Sequence, residues 1–191
     1  GTGKTTIARI IANQTKHTFC SCSAVHSKIT EVKALMERAA QTFNHGNKRT
    51  IVFIDEIHRF NKSQQDAFLP YVESGAVVLI GATTENPSFE VISALLSRCH
   101  VFVLEPLSTL NLHEIVIRAI SMLPKHLTFD PLALQFLAEN AGGDARKALN
   151  DLEMVCRNAE AFDNISLESL NSANTARSFF YDKGGEEHYN L

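Results

Sequence analysis

The sequence predicts an α/β domain built on a parallel sheet, followed by a smaller all-helical lid. Three observations carry that prediction. A glycine-rich segment, Gly1-Thr2-Gly3-Lys4-Thr5-Thr6, runs directly into a helical pattern. A continuous apolar run, Ile51-Val52-Phe53-Ile54, ends in two adjacent carboxylates, Asp55-Glu56. After Glu105-Pro106 the strand-type apolar runs stop and only helical periodicity follows.

The opening segment is the second half of a phosphate-binding loop, Gly-x4-Gly-Lys-[Ser/Thr], whose first glycine would stand about three positions before Gly1. The chain is therefore expected to be an internal piece of a longer parent. It should lack the strand that leads into the loop, a central element of the sheet, and be poorly stable alone. Glycines let backbone N–H groups approach a phosphate, and the helix that begins near Lys4 aims its positive dipole end at the same anion. Lys4 would reach the outer phosphates, and the Thr5 hydroxyl suits Mg²⁺. Taken alone, so short a string is also a flexible turn.

The helix from the loop is expected over residues 4–14. A strand over 18–22 leads to a helix over 29–43, with Val32, Leu35, Met36 and Ala39 at helical spacing. Strand 51–55 is apolar at every position before its carboxylates, as a strand covered on both faces must be. At the carboxyl end of such a strand, Asp55 would hold magnesium and Glu56 would orient a water. A helix over 62–72 and a strand over 77–80 follow, the strand running into Gly81-Ala82-Thr83-Thr84. Those hydroxyls fall beside the end of strand 51–55. A short helix over 89–96 and a last strand over 101–104 complete the first domain, taken as residues 1–106.

Pro106-Leu107 reads as a linker to a lid over 107–163, with helices at 112–122, 131–140 (Asp130 as N-cap) and 145–161. A short helix over 167–173 leads into a polar tail. Arg98 closes a helix at the domain edge, where an arginine is otherwise a solvated charge. Arg146 lies near a helix N-terminus, against the preference for cations at the opposite end, and a bound anion would remove that conflict.

With 191 residues and 45% hydrophobic content, the chain can bury one good core and a small second one. No long apolar run or secretory segment appears. A formal net charge of −3 argues against a strongly basic nucleic-acid arm, though not against a basic patch on one face. Cys20, Cys22, Cys99 and Cys156 lack metal-ligand spacing and read as reduced, intracellular thiols.

Longer strings narrow the reading. Asp55-Glu56-Ile57-His58-Arg59-Phe60-Asn61-Lys62 with Gln64-Gln65-Asp66, Gly81 to Phe89, Leu95-Leu96-Ser97-Arg98-Cys99, Gly143-Asp144-Ala145-Arg146 and Tyr181 to Asn190 together resemble an AAA+ P-loop ATPase. Within that class they resemble the family of Werner helicase-interacting protein 1, its yeast counterpart and bacterial replication-associated recombination protein A. Ser97-Arg98-Cys99 also resembles clamp loaders, and Asp55-Glu56-Ile57-His58 the Holliday-junction branch-migration motor.

The resemblance implies that Gly1, Thr2, Gly3, Lys4, Thr5 and Thr6 bind ATP, that Thr5 and Asp55 hold Mg²⁺, and that Glu56 is the catalytic base or the residue that orients the attacking water. Thr84 would be the first sensor, with Thr83 the near alternative, and Arg146 the second. Arg98 would be an arginine finger acting on ATP held by a neighbouring subunit. The family further implies a homo-oligomeric, DNA-dependent ATPase of replication and repair at stalled or damaged forks. Its expected partners are DNA with branched, gapped or end structures and proteins such as helicases or polymerases. Residues 164–191 would be a connection and, from Tyr181, the start of an oligomerisation region. Two other readings stay open, a clamp-loader-like subunit and a nucleotide-binding scaffold without turnover. The likeness of Arg98-Cys99 and His188-Tyr189-Asn190 to eukaryotic members implies a nuclear protein, or a cytoplasmic one for a bacterial source.

Overall fold

The computed structural model describes residues 1–46, 48–124, 126–159 and 163–170, so the expected start of the oligomerisation region at Tyr181 and the end of the 167–173 helix lie outside the described residues. The chain forms two compact units, Gly3–Val103 and, with Gly1–Thr2, the residues from Leu104 onward.

In the first unit, β1 (Thr18–Ser23), β2 (Thr50–Asp55) and β3 (Val77–Gly81) form a parallel sheet in that order. Strand β2 is central, which accounts for its uninterrupted apolar sequence. Val52 and Ile54 pack with Val32 and Met36 of α2 (Ile29–Gly46). Phe53, alternating to the other face, packs with Ala8 of α1 (Lys4–Thr15) and with Ala82.

Two expected helices are split in the structure. The 62–72 helix is α3 (Lys62–Asp66) and α4 (Leu69–Glu73), because Pro70 has no N–H to continue the first helix into the second. The 89–96 helix is α5 (Pro87–Glu90) and α6 (Ser93–Leu96), divided by Val91 and Ile92 in extended conformation. The cause of the second break is Gln65, only 1% exposed. Its side-chain amide donates to the carbonyls of Phe60 (2.8 Å) and Glu90 (2.9 Å), and its oxygen accepts from the Ile92 N–H (3.0 Å). The Ile92 N–H is thereby turned away from a helical bond.

The expected strand over 101–104 does not form. A strand exists by its ladder, and this segment pairs with nothing among the described residues; Val101, Phe102 and Val103 are 56%, 83% and 77% exposed.

The second unit packs α7 (Thr109–Ser121), α8 (Pro131–Asn140) and α9 (Ala145–Asn158) around Leu112, Val116, Leu137, Ala148 and Leu152. It is not all-helical: β4 (Thr128–Phe129) pairs in parallel with β5 (Asn164–Ile165). Asp130 stands at the α8 N-cap without capping it by its side chain; its carboxylate accepts instead from the Asn164 amide at 2.9 Å. Sequence spacing places the residue and cannot show this competing partner.

The turn into α9 is tight. Leu107 N–H donates to the Gly143 carbonyl at 3.0 Å, and a Cβ added to Gly143 would fall 2.5 Å from Pro106 Cβ. Gly143 also has φ +85°, where a side chain is strained. Gly143→Ala is therefore expected to destabilise this unit by about 2–5 kcal/mol, combining left-handed backbone strain with overpacking. Gly142→Ala has φ +58° but open space around the new methyl, and should cost only about 1–2 kcal/mol. Urea denaturation of the two full-length variants checks the difference; equal losses would show that Pro106 yields.

Candidate functional site

Helix α1 begins at Gly3, which has φ 89° and ψ 18°, with no side-chain cap and no acidic residue in the first turn. A helix start presents N–H groups without intrahelical acceptors, and here no side chain of the helix cap takes them. Space around Gly3 is open, with nothing within 4 Å of an added Cβ. Ala8, one turn after Lys4, packs with Phe53 and Ala82. The α1 N-terminus thus lies toward the carboxyl end of the strands, where β2 ends in Asp55. The residues present fit a nucleotide phosphate and its magnesium, with an uncapped helix start, the Lys4 ammonium, and the hard oxygen donors Thr5 and Asp55.

Beyond β2 the ladder continues through the loops. Ala82 N–H donates to Ile54 O at 2.9 Å and Ile57 N–H to Ala82 O at 3.0 Å, while Gly81 leaves room for Ile57, whose Cδ1 would lie 3.1 Å from an added Cβ. This brings Thr83 and Thr84 beside Glu56. Glu56 adopts φ 54° and ψ 45°, a left-handed conformation in a non-glycine residue, of the kind that collects at functional sites. The chain then enters a 3₁₀ turn, Ile57–Arg59.

Four side chains meet there. Thr84 Oγ1 donates to Glu56 Oε2 at 3.1 Å. His58 Nε2 lies 3.4 Å from the same oxygen, and His58 Nδ1 lies 2.8 Å from Thr83 Oγ1. Thr83 Oγ1 also accepts from the Glu85 N–H at 3.0 Å. Of the two hydroxyls weighed for the sensor position, Thr84 is the one on Glu56 and Thr83 is occupied by His58 and the backbone. Asp55 Oδ1 accepts from the Glu56 N–H at 3.2 Å.

Arg98 belongs to the same unit but is not with this group. Its guanidinium pairs with Glu73 at 2.6 Å and donates to Ala94 O (2.8 Å) and Ser97 Oγ (3.0 Å). A lone solvated charge is thus not what the structure holds. Arg146, exposed, is the second residue of α9 in the other unit. The preceding Asp144 caps α9 by accepting from Lys147 N–H at 3.0 Å. Burial pushes the Cys22 thiol up to about 11 and raises that of Cys99, so both stay protonated and unreactive near neutral pH.

Sequence reasoning assigned no role to His58, Gln65 or Glu73. A histidine two positions after the paired carboxylates was a signal available for the first. Gln65 meets Glu90 and Ile92, and Glu73 meets Arg98, each 25 or more residues away, which local spacing does not reveal.

The parallel sheet, the uncapped helix start and the carboxylate pair at the strand end are those of a P-loop ATPase domain of the AAA+ class. Residues 1–107 match the ATPase family associated with various cellular activities (AAA), and residues 123–191 match the AAA C-terminal domain family. The whole chain is 44% identical to replication-associated recombination protein A of Escherichia coli K12, and 41% identical to ATPase WRNIP1 of Dictyostelium discoideum. It spans 44% and 24% of the length of these two relatives. The Thermotoga maritima RuvB Holliday junction branch migration motor superposes over 91% of this chain and 58% of its own, with TM-score 0.70 and 26% identity. The chain belongs to the AAA+ family of replication-associated recombination protein A and WRNIP1. Identity to a bacterial member is as high as to a eukaryotic one, so it lends no weight to a nuclear assignment. Among the described residues no helix is long and apolar enough to cross a membrane.

Proposed function

We propose that the full-length protein is a magnesium-dependent, DNA-stimulated ATPase of replication and repair, working as a homo-oligomer at stalled or damaged forks. The observation that carries this reading is the juxtaposition, in one unit, of the uncapped α1 start with Asp55, Glu56 and Thr84 at the same end of the sheet. Backbone N–H groups of the Gly1 to Thr6 loop and Lys4 hold the phosphates. Magnesium, when bound by Thr5 and Asp55, screens the charge of the outer phosphates. Glu56 orients the attacking water, and Thr84 senses the terminal phosphate by exchanging its bond to Glu56 for one to that anion. Arg98 serves the nucleotide of a neighbouring subunit. Arg146 is the second sensor, so loss of the terminal phosphate removes the anion that both arginines attract.

The DNA arm rests on the names of the relatives and on charge. Thr15, Lys16, His17, Thr18, Lys48 and Arg49 line a cavity of about 260 Å³ at the amino ends of β1 and β2, opposite the carboxylates. Its lining contains no acid, which suits a phosphate backbone. The test is ATP hydrolysis by the full-length protein with and without primed or forked DNA. Stimulation that fades as salt rises supports the reading. Hydrolysis indifferent to DNA overturns the DNA arm, and nucleotide binding without hydrolysis leaves a scaffold.

A further inference from the structure

We propose that His58 is a positioning residue for Glu56, holding one carboxylate oxygen in place so that the other is aimed at the water. The inference rests on the reading of Glu56 as the water-orienting group.

The proton inventory of the cluster gives it a direction. Thr83 Oγ1 accepts from the Glu85 N–H and has a single proton of its own to give. Donating that hydrogen in a hydrogen bond to His58 Nδ1, 2.8 Å away, requires a lone pair there and so a neutral imidazole with its own hydrogen on Nε2. Nε2 faces Glu56 Oε2 at 3.4 Å. The opposite neutral tautomer would set a ring lone pair against a carboxylate, which is repulsive, and the charged ring would present an N–H on both sides. Each favourable state therefore points an N–H at Glu56. The ring is held for the task, since the His58 side chain is only 10% exposed and its far nitrogen is tied through Thr83 to the Glu85 backbone.

Thr84 and His58 both address Oε2, which leaves Oε1 for water. If the Thr84 hydroxyl turns to the terminal phosphate, Oε2 loses that donor. His58, tied to Thr83 and not to Thr84, keeps its place. A carboxylate with no remaining anchor would rotate, and a misplacement of about 1 Å in a reacting group costs up to about 10²-fold. The left-handed backbone at Glu56 serves the same end, because it folds His58 back over the carboxylate.

The experiment is steady-state ATP hydrolysis by the full-length protein carrying H58A, H58Q or H58N, with nucleotide affinity read separately using a fluorescent ATP analogue. H58A is expected to lower kcat about 10- to 100-fold, leaving KM and analogue affinity within about twofold. In H58Q the amide nitrogen stands about where Nε2 stands, so most of the loss should be recovered. In H58N the amide reaches only the Thr83 side, so kcat should stay low. Full turnover in H58A, a KM that rises as kcat falls, or equal recovery by H58N and H58Q would overturn the proposal. The last comparison involves two polar side chains of similar size, and it stands even if the alanine variant does not fold. E56Q assayed alongside separates the two layers. Wild-type turnover in E56Q overturns the reading of Glu56 and His58 with it, whereas a slow E56Q beside a fast H58A overturns His58 alone.

Discussion

Mixing full-length Arg98→Ala subunits with full-length Lys4→Ala subunits will restore part of the ATP hydrolysis that each variant lacks alone. The first keeps an intact phosphate site and has no finger; the second keeps the finger and holds ATP poorly. Only a mixed interface contains both halves. An arginine supplied across an interface is worth about 10³–10⁵ in rate, or roughly 4–7 kcal/mol of barrier. The structure bears on whether Arg98 is available for that role, because it is paired with Glu73 on its own chain at 2.6 Å. Side chains 41% and 48% exposed form a surface pair, and such pairs contribute about 0–1 kcal/mol. On this reading the arginine would exchange Glu73 for a nucleotide phosphate at small cost. Hydrolysis by Arg98→Ala at the wild-type rate, or mixtures no more active than their parts, would remove Arg98 from the mechanism.

Glu56→Gln in the full-length protein will bind ATP normally and turn it over about 10²–10⁴ times more slowly, the usual contribution of a positioned base. The substitution preserves shape, and the amide oxygen can still accept from Thr84. What it removes is the negative charge that draws a proton from water. Equilibrium nucleotide binding and single-turnover hydrolysis, measured on the same preparation, check the two halves separately. Unchanged turnover would mean that another group orients the water. Slow turnover with intact fork function in cells would favour the scaffold.

The sheet was legible because its signals are local. The β2 run reads as a doubly covered strand, and the spacing of Val32, Met36 and Ala39 gives α2 its buried face. The break within 62–72 follows from Pro70, a local signal, but the other misreadings turn on partners that local sequence does not show. Gln65 bends the chain at Ile92, and nothing near residue 92 announces it. The run over 101–104 has strand composition but, among the described residues, no neighbour it pairs with, and composition cannot supply one. Within the site, Glu56 and Thr84 could be named from sequence, since each ends or follows a strand. His58 was in plain sight, but its significance depends on Thr83 standing 25 residues away in sequence.

Among the described residues one edge of β3 has no partner strand and Val101-Phe102-Val103 is exposed, which has a consequence for handling a polypeptide of this length. An edge strand offers unpaired N–H and C=O groups to any extended chain, and an exposed apolar segment in the same unit adds adhesive surface. A polypeptide of these 191 residues is thus colloidally vulnerable whatever its enzymology. Concentrating it would favour strand addition between copies, and light scattering would rise with protein concentration well below any unfolding temperature.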